Sequence, residues 1–207
     1  AKYTHFTQKR LRMKWFEQQN IAEYLGARAE KHRLPNHYRN IAVQLSGTEG
    51  IPNGYPRASS KSEYGNQPWF AARCAIDGKT DNRGHGRDFP SWRPDRRDDV
   101  WWKVEFGREV QVDKLVVYLR AEFPHDKHWR SAVLEFSDGS RQEINFAKTA
   151  APQSFTFDHR TVTWVKLTDL VQEEPLGWCA LTEIEVWGRD AHVPHLATVR
   201  VEPSQRD

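Results

Sequence analysis

The chain has 207 residues, 38% hydrophobic and 29% charged, with a formal net charge of +3. That length holds one sizeable core, or a core with an appendage. No run approaches the roughly 18 apolar residues of a membrane-crossing helix, and two cysteines, Cys74 and Cys179, are too few for a disulfide framework. The charge is uneven: residues 1–40 carry nine Lys/Arg against three Asp/Glu, about +6, so the remainder sits near −3. A basic amphipathic stretch can meet nucleic acid or membrane. Its ordinary form is a solvated helix face, and nucleic acid is not expected as a partner. The chain opens Ala1-Lys2-Tyr3 with no basic-then-apolar leader.

Residues 4–33 read as helical, with Phe6, Leu11, Trp15, Phe16, Ile21, Tyr24 and Leu25 at three- and four-residue spacings among charged residues. Gly26 interrupts the pattern and Leu34-Pro35-Asn36 ends it. The expected division is a helical extension over 1–36, a β domain over 37–189 and an extended tail or linker over 190–207. From residue 46 to 62 the texture is turn-rich, including Ser59-Ser60-Lys61-Ser62. Short strands follow over 100–106, 111–119, 132–136, 141–146, 154–157, 161–167 and 180–187. In the first, Trp102, Val104 and Phe106 alternate with Trp101, Lys103 and Glu105, and Gly107 closes it. Ser137-Asp138-Gly139-Ser140 reads as a hairpin turn. Many short strands with Gly/Asp turns and no helical pattern between them argue an all-β sandwich.

Five segments in order carry a resemblance: Ala75-Ile76-Asp77-Gly78; Trp101-Trp102-Lys103-Val104-Glu105-Phe106-Gly107; residues 115–120; Phe136-Ser137-Asp138-Gly139; and Ala180-Leu181-Thr182-Glu183-Ile184-Glu185-Val186-Trp187-Gly188. Together they resemble discoidin, or coagulation factor 5/8 type C, domains and related carbohydrate-binding modules, over about residues 40–189. The resemblance implies a galactose-binding-like jelly-roll β-sandwich, here with an added N-terminal helical segment. It implies a non-catalytic module that binds a glycan, with a protein- or lipid-interaction module as the alternative. A secreted or cell-surface location is the corresponding expectation, as is fusion to, or association with, a glycan-degrading enzyme.

Many relatives hold a structural calcium, which needs six to eight oxygens. The resemblance matches Asp77 to the loop carboxylate and Glu183 to the last strand's carboxylate. Asn82 stands where relatives often place Thr. Alternatively Asp77 caps its own turn and Glu183 pairs with an arginine. Cys74 and Cys179 flank these elements, so the alignment makes them neighbours, either bridged or as two buried thiols.

Sugar recognition needs flat apolar rings against C–H faces and planar polar groups for hydroxyl pairs. Three loops offer both: residues 80–99, 121–129 and 172–179. From the resemblance, His85, Arg120 and Trp178 fit the ligand positions, and Trp92, Arg93, His125, Asp126 and Trp129 complete the candidate set. Trp92 and Trp129 are equally readable as rim or core packing, and Arg120 as the partner of a buried carboxylate. Trp102, Trp164 and Trp187 read as core. The Arg- and His-rich loops suit an acidic or sulfated glycan. Asp88 with Glu174 is one pair available for glycosidase chemistry, which would make the chain a small glycan-active enzyme. No phosphate loop, nucleophile elbow or His-Glu-x-x-His helix is present.

Overall fold

The computed structural model describes residues 37–44, 54–81, 83–84, 86–121 and 123–191. The helix expected over 4–33, most of the tail after 190, and the site candidates Asn82 and His85 lie outside those residues. Seven strands are described: β1 (Arg39–Asn40), β2 (Arg57–Ser60), β3 (Trp102–Leu119), β4 (Trp129–Phe136), β5 (Arg141–Asn145), β6 (Gln153–Gln172) and β7 (Leu181–Asp190). All their pairings are antiparallel.

Two strands organise the rest. The first half of β3 lies between β2 and the second half of β6, which pairs onward with β4 and then β5. The second half of β3 lies between β7 and the first half of β6, and β7 pairs onward with β1. Strands β3 and β6 therefore belong to both layers of the sandwich, in the manner of the expected jelly roll. Between the layers, Trp102, Val104, Phe106, Leu115, Leu134 and Ile184 belong to one contiguous buried cluster. Each such side chain contributes roughly 1.5–3 kcal/mol by leaving water.

Burial along β3 records how one strand serves two layers. Trp102, Val104, Phe106, Val110 and Val112 are buried, and then parity changes to Leu115, Val117 and Leu119. The change falls at a register shift between Val112 and Lys114, where one extra residue moves the inward set to the opposite parity. The sequence reading split this strand into 100–106 and 111–119. Gly107, at φ +67°, bends the strand without ending it. In the same way 154–157 and 161–167 are parts of the single strand β6.

The hairpin after β4 forms as its residues imply. The Gly139 N–H donates to the Phe136 carbonyl (3.0 Å), and the Ser140 N–H donates to Asp138 Oδ1 (2.9 Å). Other expectations need correction. Ser59-Ser60, read as turn, is strand β2, because β3 offers it a ladder: Ser59 faces Lys103 and Ser60 faces Trp102. Trp102 is fully buried, but Trp164 and Trp187 are only half-buried. Each lies on an outer face beneath an ammonium, Lys103 at 4.9 Å and Lys114 at 4.4 Å from the ring centroid. Cys74 and Cys179 are both free and buried. The Cys74 thiol donates to the Pro68 carbonyl (3.2 Å). Burial pushes the two thiols up to about 11 and about 12, so both stay neutral and inert.

Candidate functional site

The three loops converge at one end of the sandwich, held by backbone ladders. Trp92 and Leu181 exchange N–H···O bonds of 2.8 and 2.9 Å. The Arg120 N–H reaches the Ala180 carbonyl (3.0 Å), and the Glu173 N–H reaches that of His128 (3.0 Å). Lys127 bridges Cys179, and Gln172 Nε2 donates to the Arg97 carbonyl (2.8 Å). A loop cross-linked in this way is positioned before any ligand arrives.

Beneath the loops lie Trp92 and Trp129, stacked at 5.5 Å with planes 14° apart. Both are 0% exposed, and the Trp92 indole N–H donates to the Ser62 carbonyl (3.1 Å). As ligand-contacting rings these two are corrected: neither has a face open to a sugar. They form the floor of the loop end.

Above that floor stands Trp178, 38% exposed. The Arg93 guanidinium lies 3.9 Å from the Trp178 ring centroid, 4.5 Å from that of Tyr64 and 5.1 Å from that of Phe70. Tyr64 meets Trp178 edge-on at 5.0 Å. The Arg96 guanidinium lies 5.1 Å from the Trp178 centroid while its Nε donates to the Leu176 carbonyl (2.6 Å). Burial lowers the pKa of Arg93, and its Nε has no hydrogen-bond partner among the described residues. A guanidinium remains charged through any such shift. Arg93 is thus a fixed, half-buried cation with donor capacity to spare.

Arg120 ends the long strand and is 4% exposed. Its Nη1 donates to Ser91 Oγ (2.9 Å) and its Nη2 to the Gly84 carbonyl, tying strand β3 to the first loop. Burial lowers its pKa, the Asp126 carboxylate opposes that shift, and Arg93 adds to it. Asp126, 5% exposed, accepts the Phe123 N–H at Oδ2 (3.1 Å) and lies 3.6 Å from His125 Nε2. The exposed His125 ring stacks on Phe123 at 5.5 Å. Arg93, Arg120, Asp126, His125 and Trp178 therefore belong to the same loop end, with Arg120 and Asp126 mostly behind its surface.

Tyr64 and Phe70 were missed by the sequence reading. They come from two 3-10 turns, Tyr64–Asn66 and Pro68–Phe70. The run Tyr64-Gly65-Asn66-Gln67-Pro68-Trp69-Phe70 packs three aromatics around a Gly and a Pro, which is the local signal that could have found them. Glu174, which with Asp88 is the sequence's example of a carboxylate pair available for glycosidase chemistry, is ion-paired to Lys127 at 2.6 Å. That pairing lowers its pKa, the wrong direction for a general acid.

The acidic pair is elsewhere. Glu183, 1% exposed, receives the Gly78 N–H at both oxygens (3.2 and 3.3 Å). Burial, then the charge of Asp77, pushes it up to about 9. Asp77 caps its own turn by accepting the Lys79 N–H (3.0 Å), and Lys79 Nζ lies 3.7 Å from its other oxygen. No cationic side chain reaches Glu183 within ion-pair distance among the described residues. A buried carboxyl whose pKa is raised further by a neighbouring carboxylate, as Glu183's is by Asp77, is a donor set that suits a hard divalent cation.

An antiparallel jelly-roll sandwich of this kind, with its loops gathered and cross-linked at one end, is the fold of the discoidin-like class. The family profile of the F5/8 type C domain matches residues 57–184, and the chain belongs to that family. No curated protein is significantly similar to it. Solved structures share the fold. Chitosan-binding module 1 of a chitosanase/glucanase from Paenibacillus sp. IK-5 is 20% identical, with a TM-score of 0.52, over 72% of this chain and 99% of that one. The lectin domain of Lectinolysin, complexed with Lewis B antigen, is 22% identical, with a TM-score of 0.52, over 72% and 95%. A fucose-binding module from Streptococcus pneumoniae is 16% identical, with a TM-score of 0.51, over 72% and 96%.

Proposed function

We propose that the chain is a non-catalytic carbohydrate-binding module that holds a glycan at the loop end of its sandwich. One observation carries this reading: a half-exposed indole, Trp178, stands beside the half-buried Arg93 guanidinium on loops that are already cross-linked. Trp178 supplies a flat face for sugar C–H groups, and Arg93 supplies paired donors for hydroxyls or an acidic substituent. His125 is the exposed polar contact on the second loop. Arg120 and Asp126 hold the loops and present their remaining polar atoms. The neighbours named for chitosan, Lewis B and fucose support a sugar as the ligand class.

Calcium belongs to the same proposal. Asp77 and Glu183 would hold it, with Asn82 as a further oxygen ligand, and the ion would offset the burial and the Asp77 charge that together raise the Glu183 carboxyl. Association with a glycan-degrading enzyme outside the cell is consistent with the origin of the Paenibacillus module in a chitosanase/glucanase. The test is a glycan array probed with the wild-type chain, Trp178→Ala and Arg120→Ala. Selective binding by the wild type that is lost in Trp178→Ala is the expected result. Absence of any bound glycan would overturn the reading.

A further inference from the structure

Trp69, the neighbour of Phe70, lines a second concavity that shares no residue with the Arg93–Trp178 cluster. It has a volume of about 260 Å³, and Trp69 stands in its wall with Pro68 and Pro90. Three cations, Arg73, Lys79 and Arg87, line it as well, against one carboxylate, Asp77. Lys79 already engages that carboxylate at 3.7 Å. Arg73 uses one Nη to reach the Pro68 carbonyl (3.2 Å). Neither Arg73 nor Arg87 has a carboxylate within ion-pair distance among the described residues. Cys74 also borders the cleft, and its neutral thiol adds no charge.

Surface cations are ordinarily just solvated. These three differ because they converge on a concave wall that also presents an indole and two proline rings. The domain around them is not basic as a whole: the residues after 40 carry a net charge near −3. The cleft concentrates three cations in a domain with no overall positive excess, which argues against the broad basic track that a nucleic acid requires. The volume lies just below the usual range of roughly 300–1,000 Å³ for small-molecule pockets. That is room for one sugar ring and not for a longer segment.

We propose that this cleft is a second glycan subsite, which reads one sugar ring carrying a carboxylate or a sulfate. The Trp69 ring packs against the sugar's C–H face. The Arg73 and Arg87 forks take the anionic oxygens in pairs, a geometry that planar guanidinium matches and ammonium does not. Lys79 contributes charge without a fixed direction. Trp69 and Phe70 are consecutive, with ring centroids 6.3 Å apart, and the Ser91 N–H donates to the Trp69 carbonyl (3.0 Å). The cleft is therefore anchored to the same loop that positions Arg93 and Arg120. This inference rests on the glycan-binding reading and adds an anion requirement at separate residues.

The test uses the whole chain in calorimetric titrations with two matched probe pairs. One pair is a uronic-acid trisaccharide and its methyl ester; the other is a sulfated oligosaccharide and its desulfated form. The charged member of at least one pair is expected to bind about tenfold tighter, with the advantage shrinking as salt rises. Which pair shows the advantage tells carboxylate from sulfate. Arg73→Gln and Arg87→Gln, both exposed and expected to leave the melting temperature unchanged, should abolish that advantage while neutral-sugar binding persists. Equal affinity for charged and neutral members, or an advantage that survives both substitutions, would overturn the subsite and leave the Trp178 reading standing. An advantage removed by Arg93→Gln and untouched by Arg87→Gln would place the anion at the loop end and overturn it as well. Failure of all four probes to bind would count against both readings.

Discussion

At the scale of single residues, the loop end separates side chains that recognise from side chains that support. Trp178 is half out in solvent, so Trp178→Ala should leave thermal stability nearly unchanged while costing glycan affinity about 1.5–3 kcal/mol, read by titration beside a melting curve. Arg93→Lys keeps the charge but loses the plane that lies against Trp178 and Tyr64; affinity should fall about tenfold although net charge is constant. Glu183 belongs to the frame. Its carboxyl titrates near 4.5 when unfolded and near 9 when folded. Between those values the folded chain keeps a proton that the unfolded chain releases. In chelator, stability is therefore full below about pH 4.5 and falls as pH rises toward 9, by at most about 1.4 kcal/mol per pH unit. Melting temperatures across pH 5–9 in chelator should show that decline, Glu183→Gln should flatten it, and added calcium should oppose it in the wild type only. A flat wild-type profile in chelator would show that Glu183 is not held against Asp77 without solvent.

At the scale of elements, two glycines stand where β3 passes from one layer to the other, Gly107 within it and Gly188 facing it from β7. A Cβ on Gly107 would stand 2.3 Å from the Tyr55 ring, and φ is +67°. Gly107→Ala should cost about 1–2 kcal/mol, since an exposed ring can move aside but the backbone cannot. Gly188 is tighter in a different way: its Cβ would meet the Gln111 carbonyl oxygen at 2.1 Å, across the β3–β7 ladder beside the bulge. Backbone cannot yield there without breaking pairing, so Gly188→Ala should destabilise more, roughly 3 kcal/mol or above. Urea midpoints of the two variants rank them. Alternation made the inward face of β3 legible at Trp102, Val104 and Phe106, whereas the apolar run Leu115-Val116-Val117 beyond the bend does not alternate. Continuity was not legible, because a glycine at positive φ is the same local signal whether the chain turns back or bulges and carries on. Strand β2 was missed for a related reason. Ser59 and Ser60 have turn chemistry, and only the free edge of β3 makes them strand.

For the whole molecule, the stacked Trp92–Trp129 pair joins the core to the loops, one ring from the first loop and the other from the start of β4. Trp129→Ala should therefore cost about 3–5 kcal/mol of stability and lower glycan affinity with it, a coupling that Trp178→Ala lacks. Unfolding and binding measured on the same preparations distinguish the two.

The sequence by itself determined the β class, the inward parity of residues 102–106, the 137–140 hairpin and the order of segments that marks the family. Those are local or ordinal properties, and alternation, turn chemistry and spacing carry them. Only the tertiary structure decided which tryptophans are floor and which are surface: Trp92 and Trp129 went under the loops, while Trp164 and Trp187 stayed on outer faces beneath lysines. An indole is large enough to fill a core and polar enough at Nε1 to border water, so its identity does not state its depth. Depth depends on which distant segment closes over it, as Leu181 does over Trp92. The same holds for Arg73 and Arg87, unremarkable in sequence and gathered into one cleft only by the 3-10 turns around Trp69.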